Sequence, residues 1–280
     1  MNSSDQTYKQ YSFADHKEVY GILETVFHKK KIKYYLIGAN ARDVQMYKVG
    51  VKPNRGTADI DFAIMVPDIE VYDSVFNELC DLGFRRTREN YRLFYEKTNT
   101  AIDLMPYGEI EQDYTVNFTE RDLTLSVLGF NEVGSEMELV RIVEEGYDLN
   151  VSPVEGLLIL KLVSWSENPE ARTKDLDDIS ALLNIVWEFY EEEAYEHHQD
   201  LFDGSDFNVN HIAARILGRK MRVILKKNDV LNRTIISILE KSIEKKTKPV
   251  NPELNLAQNM DKSIEDIQKL LTIILLGIND

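Results

Sequence analysis

Asp59 and Asp61 stand two residues apart in the run Asp59–Val66 (DIDFAIMV), the strongest strand pattern in the chain. Alternate residues of a strand project to the same face, so both carboxylates point one way while Ile60, Phe62 and Ile64 point into a core. Two carboxylates held side by side repel, which raises their proton affinity unless a cation lies between them. Magnesium takes oxygen ligands and is usually held by one or two carboxylates plus substrate phosphates. Asp103 is the lone acid of Thr100–Met105, where Ile102 and Leu104 share one face and Ala101, Asp103 and Met105 the other. It is placed to be a third ligand if the two strands are neighbours. Such a triad suits two metals, one activating an attacking hydroxyl and one neutralising a leaving pyrophosphate. The plain alternative is a solvated strand end, since 48 acids in 280 residues yield such pairs by chance, as at Asp175 and Asp177. A strand rim between apolar residues is nonetheless a costly place for unpaired charge.

The elements that must position these residues are also legible. Tyr34–Gly38 reads as a short buried strand closed by glycine, and Ala39–Val49 as a helix. A loop with Pro53 and Gly56 follows. Pro67 and Asp68 open a helix that runs to about Leu82 and stops at Gly83. Tyr91–Glu96 and Thr100–Met105 form a hairpin around Thr98–Asn99, and shorter strands are expected near Leu123–Phe130 and Met137–Ile142. Phe13 to about Lys31 reads as one helix. Ser152, Pro153 and Glu155 carry the signature of a helix start with a capping box. From there nearly everything reads as helix, with breaks near Asp203–Gly204 and Pro249–Pro252. The expectation is an α+β domain over residues 1–150, a mixed twisted sheet flanked by helices, followed by an all-helical domain over 151–280.

Composition limits the remaining choices. Hydrophobic residues make up 43% of the chain, which permits a core and argues against global disorder. A single cysteine, Cys80, excludes an internal disulfide and a multi-cysteine zinc site. The first fifteen residues are polar, so no signal peptide is expected, and Leu270–Leu276 is too short to span a bilayer. A soluble, cytoplasmic protein with no membrane partner is therefore expected. The net charge is −15, which argues against indiscriminate coating of nucleic acid.

Taken together, Gly38-Ala39-Asn40, Gly56-Thr57-Ala58-Asp59-Ile60-Asp61-Phe62 and Ile102-Asp103-Leu104 resemble the polymerase-beta type of nucleotidyltransferase. Within that superfamily the chain is similar to the bacterial AbiEii-type enzymes of abortive-infection and toxin–antitoxin systems. That similarity rests on Arg55–Asp61 (Arg-x-Thr-x-Asp-Ile-Asp) and on Lys161 with Lys174-Asp175-Leu176-Asp177-Asp178. It covers roughly residues 34–185 and, more weakly, the helices after 205. The resemblance implies transfer of an NMP from an NTP, ATP among them, to an acceptor hydroxyl, with two magnesium ions on Asp59, Asp61 and Asp103. It also implies that Lys161 is catalytic, that Gly38, Asn40, Arg55, Thr57, Lys174 and Asp178 bind the nucleotide, and that the helical domain closes the nucleotide cleft. The family usually has Ser or Gly straight after the glycine. Here Ala39 lacks a phosphate-binding hydroxyl, and Asn40 is the expected replacement donor.

The acceptor is open between a tRNA 3′ end and a protein hydroxyl, with a cognate antitoxin as a further implied partner. Between His211 and Lys248, eleven Lys and Arg residues face three acids. Arg215, Arg219, Arg222 and Lys226 are spaced to stack on one helical face, opposite an apolar stripe of Ala213, Leu217, Met221 and Ile224. That basic stripe suits an RNA backbone; otherwise it is a solvated face balanced by the acids of Glu191–Glu196. Two other readings stay open. One is a small-molecule acceptor of aminoglycoside type, which would call for an acidic pocket. The other is a non-catalytic homologue that binds a nucleotide or a partner.

Overall fold

The computed structural model describes residues 11, 13, 16–53, 56–57, 59–118, 123–202, 207–244 and 252–280. The chain divides into two compact units, Met1–Pro153 and Val154–Asp280. The first contains α1 (Lys17–Lys29), β1 (Tyr34–Ile37), α2 (Gly38–Lys48), β2 (Asp59–Met65) and α3 (Ile69–Asp81). Strands β3 (Phe84–Arg86), β4 (Arg92–Tyr95), β5 (Thr100–Tyr107), β6 (Thr115–Phe118) and β7 (Leu123–Ser126) follow. Helix α4 (Phe130–Gly134) and strands β8 (Glu138–Ile142) and β9 (Tyr147–Val151) complete it.

Seven strands form one mixed sheet in the order β3-β4-β5-β2-β1-β9-β8, and β6 and β7 make a separate hairpin. Central β2 runs parallel to β5 and antiparallel to β1. Its register is fixed by burial. Ile60, Phe62 and Ile64 on β2 and Ile102 and Leu104 on β5 are all 0% exposed. A slip of one residue would turn this apolar set outward, and each side chain is worth roughly 1.5–3 kcal/mol of burial. Helix α3 starts where the carboxylate of Asp68 accepts the Val71 N–H at 2.7 Å. It buries Tyr72, Val75, Phe76 and Leu79, and the chain leaves it through Gly83 at φ +98°. Both ends match the expectation from Pro67, Asp68 and Gly83.

The second unit is all helical: α5 (Val154–Glu167), α6 (Thr173–Asn184), α7 (Val186–His197), α8 (Val209–Leu225), α9 (Asp229–Ile243), α10 (Pro252–Met260) and α11 (Ile264–Ile278), with a short 3-10 turn at Gln199–Leu201. Helices α8 and α11 touch backbone to backbone. A Cβ on Gly218 would meet the Ile274 carbonyl, and one on Gly277 the Arg215 carbonyl. Among the described residues no helix is long and apolar enough to cross a membrane. The expected break at Asp203–Gly204 lies outside the described residues; of the one at Pro249–Pro252, only Pro252 is described, as the first residue of α10.

Two local expectations need correction. The first helix begins at Lys17 rather than Phe13. Tyr11 and Phe13 are buried because their rings stack at 5.4 Å and both pack edge-on against Tyr47, not because they extend the helix. At the head of α5, the Ser152 N–H donates to the Leu36 carbonyl at 2.9 Å and its hydroxyl to the Pro153 carbonyl at 3.2 Å. The helix begins at Val154, so Ser152 ties the end of β9 to β1 instead of closing a capping box with Glu155.

Candidate active site

Parallel pairing of β2 with β5 puts Asp61 directly beside Asp103, and Asp59 beside Ala101. Adjacent strands are about 4.8 Å apart, so the three carboxylates share one face of the sheet within side-chain reach of one another. The three predicted ligands thus lie on one face of two paired strands whose opposite faces are wholly buried.

The surroundings hold each acid differently. Asp59, half-exposed, is fixed through its backbone. Its carbonyl accepts from Asn40 Nδ2 at 2.5 Å, and its N–H donates to Thr57 Oγ1 at 3.4 Å. Asn40 is fully buried, and its Oδ1 accepts from the Tyr20 hydroxyl at 3.2 Å. Through these two bonds the Asn40 amide joins α1, α2 and β2 and positions the Asp59 backbone. Thr57 likewise spends its hydroxyl on the Asp59 turn. Asp61 lies against Gly38, the first residue of α2, whose φ is +66°. A Cβ there would stand 2.8 Å from Asp61 Cγ, so glycine is required both by the backbone and by the carboxylate. Arg55 lies outside the described residues.

Asp103 is 4% exposed and meets a residue that the sequence reading missed. Arg92 on β4 faces it across the hairpin. Arg92 Nε donates to Asp103 Oδ1 at 2.6 Å and Nη2 to Oδ2 at 2.8 Å, a bidentate fork. Nη2 also reaches Asp59 Oδ2 at 3.3 Å. Burial pushes the Asp103 carboxyl up, and Arg92 offsets part of that rise. In return, hydrogen bonding to Asp103 holds the guanidinium proton more tightly still. The missing signal was register. A hairpin closed tightly on Thr98–Asn99 would set Phe94 opposite Asp103, whereas Tyr95 in fact pairs with Thr100 and the turn is longer.

In the second unit, Lys161 on α5 donates to Asp175 at 2.9 Å and lies 2.7 Å from Asp178, both on α6. Asp175 and Asp178 are buried, and Lys174 is exposed. Desolvation pushes the Lys161 amine down, but Asp178 and Asp175 outweigh it and the net shift is upward. One oxygen of Asp175 has no hydrogen-bond partner among the described residues, although Arg172 lies 3.8 Å away. The predicted lysine and Asp178 are therefore brought together, as an internal ion cluster.

The basic stripe on α8 is partly neutralised. The apolar side is as expected, with Ala213, Leu217, Met221 and Ile224 buried. On the polar side, Arg215 and Arg219 both bind the Asp280 carboxylate, and Arg219 also forks onto Asp200. Arg222 is half-buried and Lys226 exposed. An arginine already saturated by carboxylates must break those pairs to meet a phosphate.

Among the described residues, no three or more His, Cys, Asp and Glu side chains stand in an arrangement able to hold a metal ion. The donor chemistry still fits a hard divalent cation, which is usually held by one or two carboxylates plus substrate phosphates: Asp59 and Asp103 already share one positive charge, and Asp61 is in register with Asp103. That charge is the Arg92 guanidinium. An open groove along α1, lined by Lys17, Glu18, Gly21, Ile22, Thr25 and Leu82, includes none of these carboxylates.

No protein-family model matches the chain, and no curated protein does. Among solved structures, the antibiotic-resistance factor ANT(2'')-Ia is 12% identical, with 80% of this chain and 94% of that one covered and a TM-score of 0.36. The CdnE cyclic dinucleotide synthase of Elizabethkingia meningoseptica, solved with GTP and Apcpp, is 10% identical, with 92% and 88% covered and a TM-score of 0.28.

Proposed function

We propose that this protein is a magnesium-dependent nucleotidyltransferase that moves an NMP from an NTP to a hydroxyl of a small cationic acceptor, releasing pyrophosphate. The observation that carries the reading is the in-register pair Asp61 and Asp103, with Asp59 on the same face. These three carboxylates would hold the metal, which when bound supplies charge neutralisation at the α-phosphate and the leaving pyrophosphate. The chain's own contribution is placement. Gly38 opens α2 beside Asp61, so the first N–H groups of that helix lie next to the carboxylate, where phosphate oxygens would approach a bound metal. Asn40 and Thr57 hold the Asp59 backbone, and the buried faces of β2 and β5 prevent a slip that would scatter the carboxylates. Little acid–base work is required beyond this positioning.

Charge supports this acceptor class. The chain carries −15, and Arg215 and Arg219 are already paired, so the feature that favoured RNA is weakened. An acidic surface favours a polycation such as an aminosugar. A second reading, a non-catalytic homologue, is favoured by the guanidinium lying between Asp59 and Asp103. The test is incubation with each labelled NTP and magnesium, against a panel of aminosugars and total tRNA. Label on an aminosugar is expected. Label on tRNA or on a protein overturns the acceptor class and restores the toxin-like reading, with its antitoxin partner. Label on nothing favours the non-catalytic homologue.

A further inference from the structure

We infer that Arg92 is an exchangeable counter-cation: it neutralises Asp59 and Asp103 while no divalent ion is bound, and gives up that position when one binds. The inference rests on the reading of these carboxylates as a metal site. Three observations carry it. The first is the buried acid: Asp103 at 4% exposure needs a positive partner, because an uncompensated charge there is costly. The second is that the partner is shared: the same guanidinium that forks onto Asp103 leans on Asp59 at 3.3 Å, so it spans two of the three candidate ligands. A guanidinium and a divalent ion cannot both occupy that space, since they would repel at contact distance.

The third observation separates exchange from a fixed strut. The Arg92 side chain is 31% exposed, on a strand whose other sheet neighbour is the three-residue β3 near the edge. It can swing into water without disturbing the core, carrying its charge with it. Lys161 in the second unit is the contrast, at 15% exposure between two buried acids. Arg92 therefore lowers the apparent metal affinity by the fraction of time that it holds the carboxylates, as any competing state does. A merely structural arginine would act with the opposite sign, because its loss would loosen the site and weaken metal binding.

The test is manganese binding by electron paramagnetic resonance, with melting in EDTA recorded in parallel, for the parent, Arg92→Gln and Arg92→Lys. Arg92→Gln should bind manganese more tightly by on the order of tenfold, and melt lower in EDTA, because a competing state has been removed. Arg92→Lys keeps a charge but loses the fork, and should fall between. If Arg92→Gln does not fold in EDTA, the lysine variant decides by the same sign. Equal or weaker manganese binding by a folded variant overturns the exchange and leaves the metal reading standing. Absence of manganese binding in parent and variants alike removes the metal reading, and the exchange with it.

Discussion

Each unit of the molecule sets one basic side chain between two aspartates, and the two clusters are built for different ends. In the helical unit, Lys161 is enclosed by Asp175 and Asp178 from a single neighbouring helix, and all three groups are withdrawn from water. In the sheet unit, Arg92 bridges a buried aspartate and a half-exposed one that come from two different strands, and a third carboxylate stands beside them. The same charge pattern can thus be a strut where it is enclosed and a replaceable occupant where it is open. Exposure decides the difference: Lys161 is 15% exposed between two buried acids, whereas Arg92 is 31% exposed and one of its two partners, Asp59, is 44% exposed.

The largest expected effect is at the strut. Lys161→Met leaves two buried carboxylates facing each other and should cost about 3–5 kcal/mol in urea unfolding. A loss below about 1 kcal/mol would put Lys161 in the same class as Arg92 and erase the contrast. The pH dependence sharpens it. Desolvation opposes the Lys161 charge but Asp178 and Asp175 prevail, so its pKa is raised on folding. Its stabilisation is complete below the ordinary amine value of about 10.4 and is lost as pH rises through the higher folded value. The parent should therefore lose stability in strong alkali through a component that Lys161→Met lacks.

A middle effect is expected at Gly38. Gly38→Ala must hold φ +66° and pushes its Cβ into Asp61, so roughly 1–3 kcal/mol of destabilisation is expected, together with loss of transfer. An alanine variant with parental transfer would show that Asp61 needs no such close approach.

The smallest effect is at the surface clasp of the helical unit. Arg215 above all, opposed by burial and aided by Arg219, holds the Asp280 carboxyl below its usual range. Its contribution is present above the ordinary aspartate value of about 3.9 and is lost as pH falls through the lower folded value. Asp280→Asn should lower the melting temperature by a few degrees at most at pH 7, and the gap to the parent should close as pH falls through the lower folded value. A gap that persists in acid would mean that the clasp acts through packing rather than charge.

What was legible in the sequence follows from locality. The β2 pattern, the Asp68 cap with Gly83, and the apolar stripe of α8 are set by residues a few positions apart, and each was found where the structure has it. Strand β9 was missed because Tyr147–Val151 is short and runs directly into the Ser152–Pro153 helix signal. That Asp59, Asp61 and Asp103 fall on one face of the sheet was legible because period-two alternation fixes which face an acid takes. Arg92 was not, because its place opposite Asp103 depends on hairpin register, which the turn sets and composition does not reveal. Asn40 was read only by residue type, as a phosphate donor; its burial and its bond to the Asp59 carbonyl, which tie it to the backbone, depend on packing that the sequence does not reveal.

The central claim, that Asp59, Asp61 and Asp103 form one metal–nucleotide site, is tested most directly by calorimetric titration of each NTP with magnesium into the parent and into Asp61→Asn. Asp61 is the right position because it is the register partner of Asp103 and the acid that Gly38 admits. The account predicts magnesium-dependent binding of at least one NTP to the parent, abolished in the folded variant and absent from both in EDTA. Binding that is equal in parent and variant, or indifferent to EDTA, would contradict it.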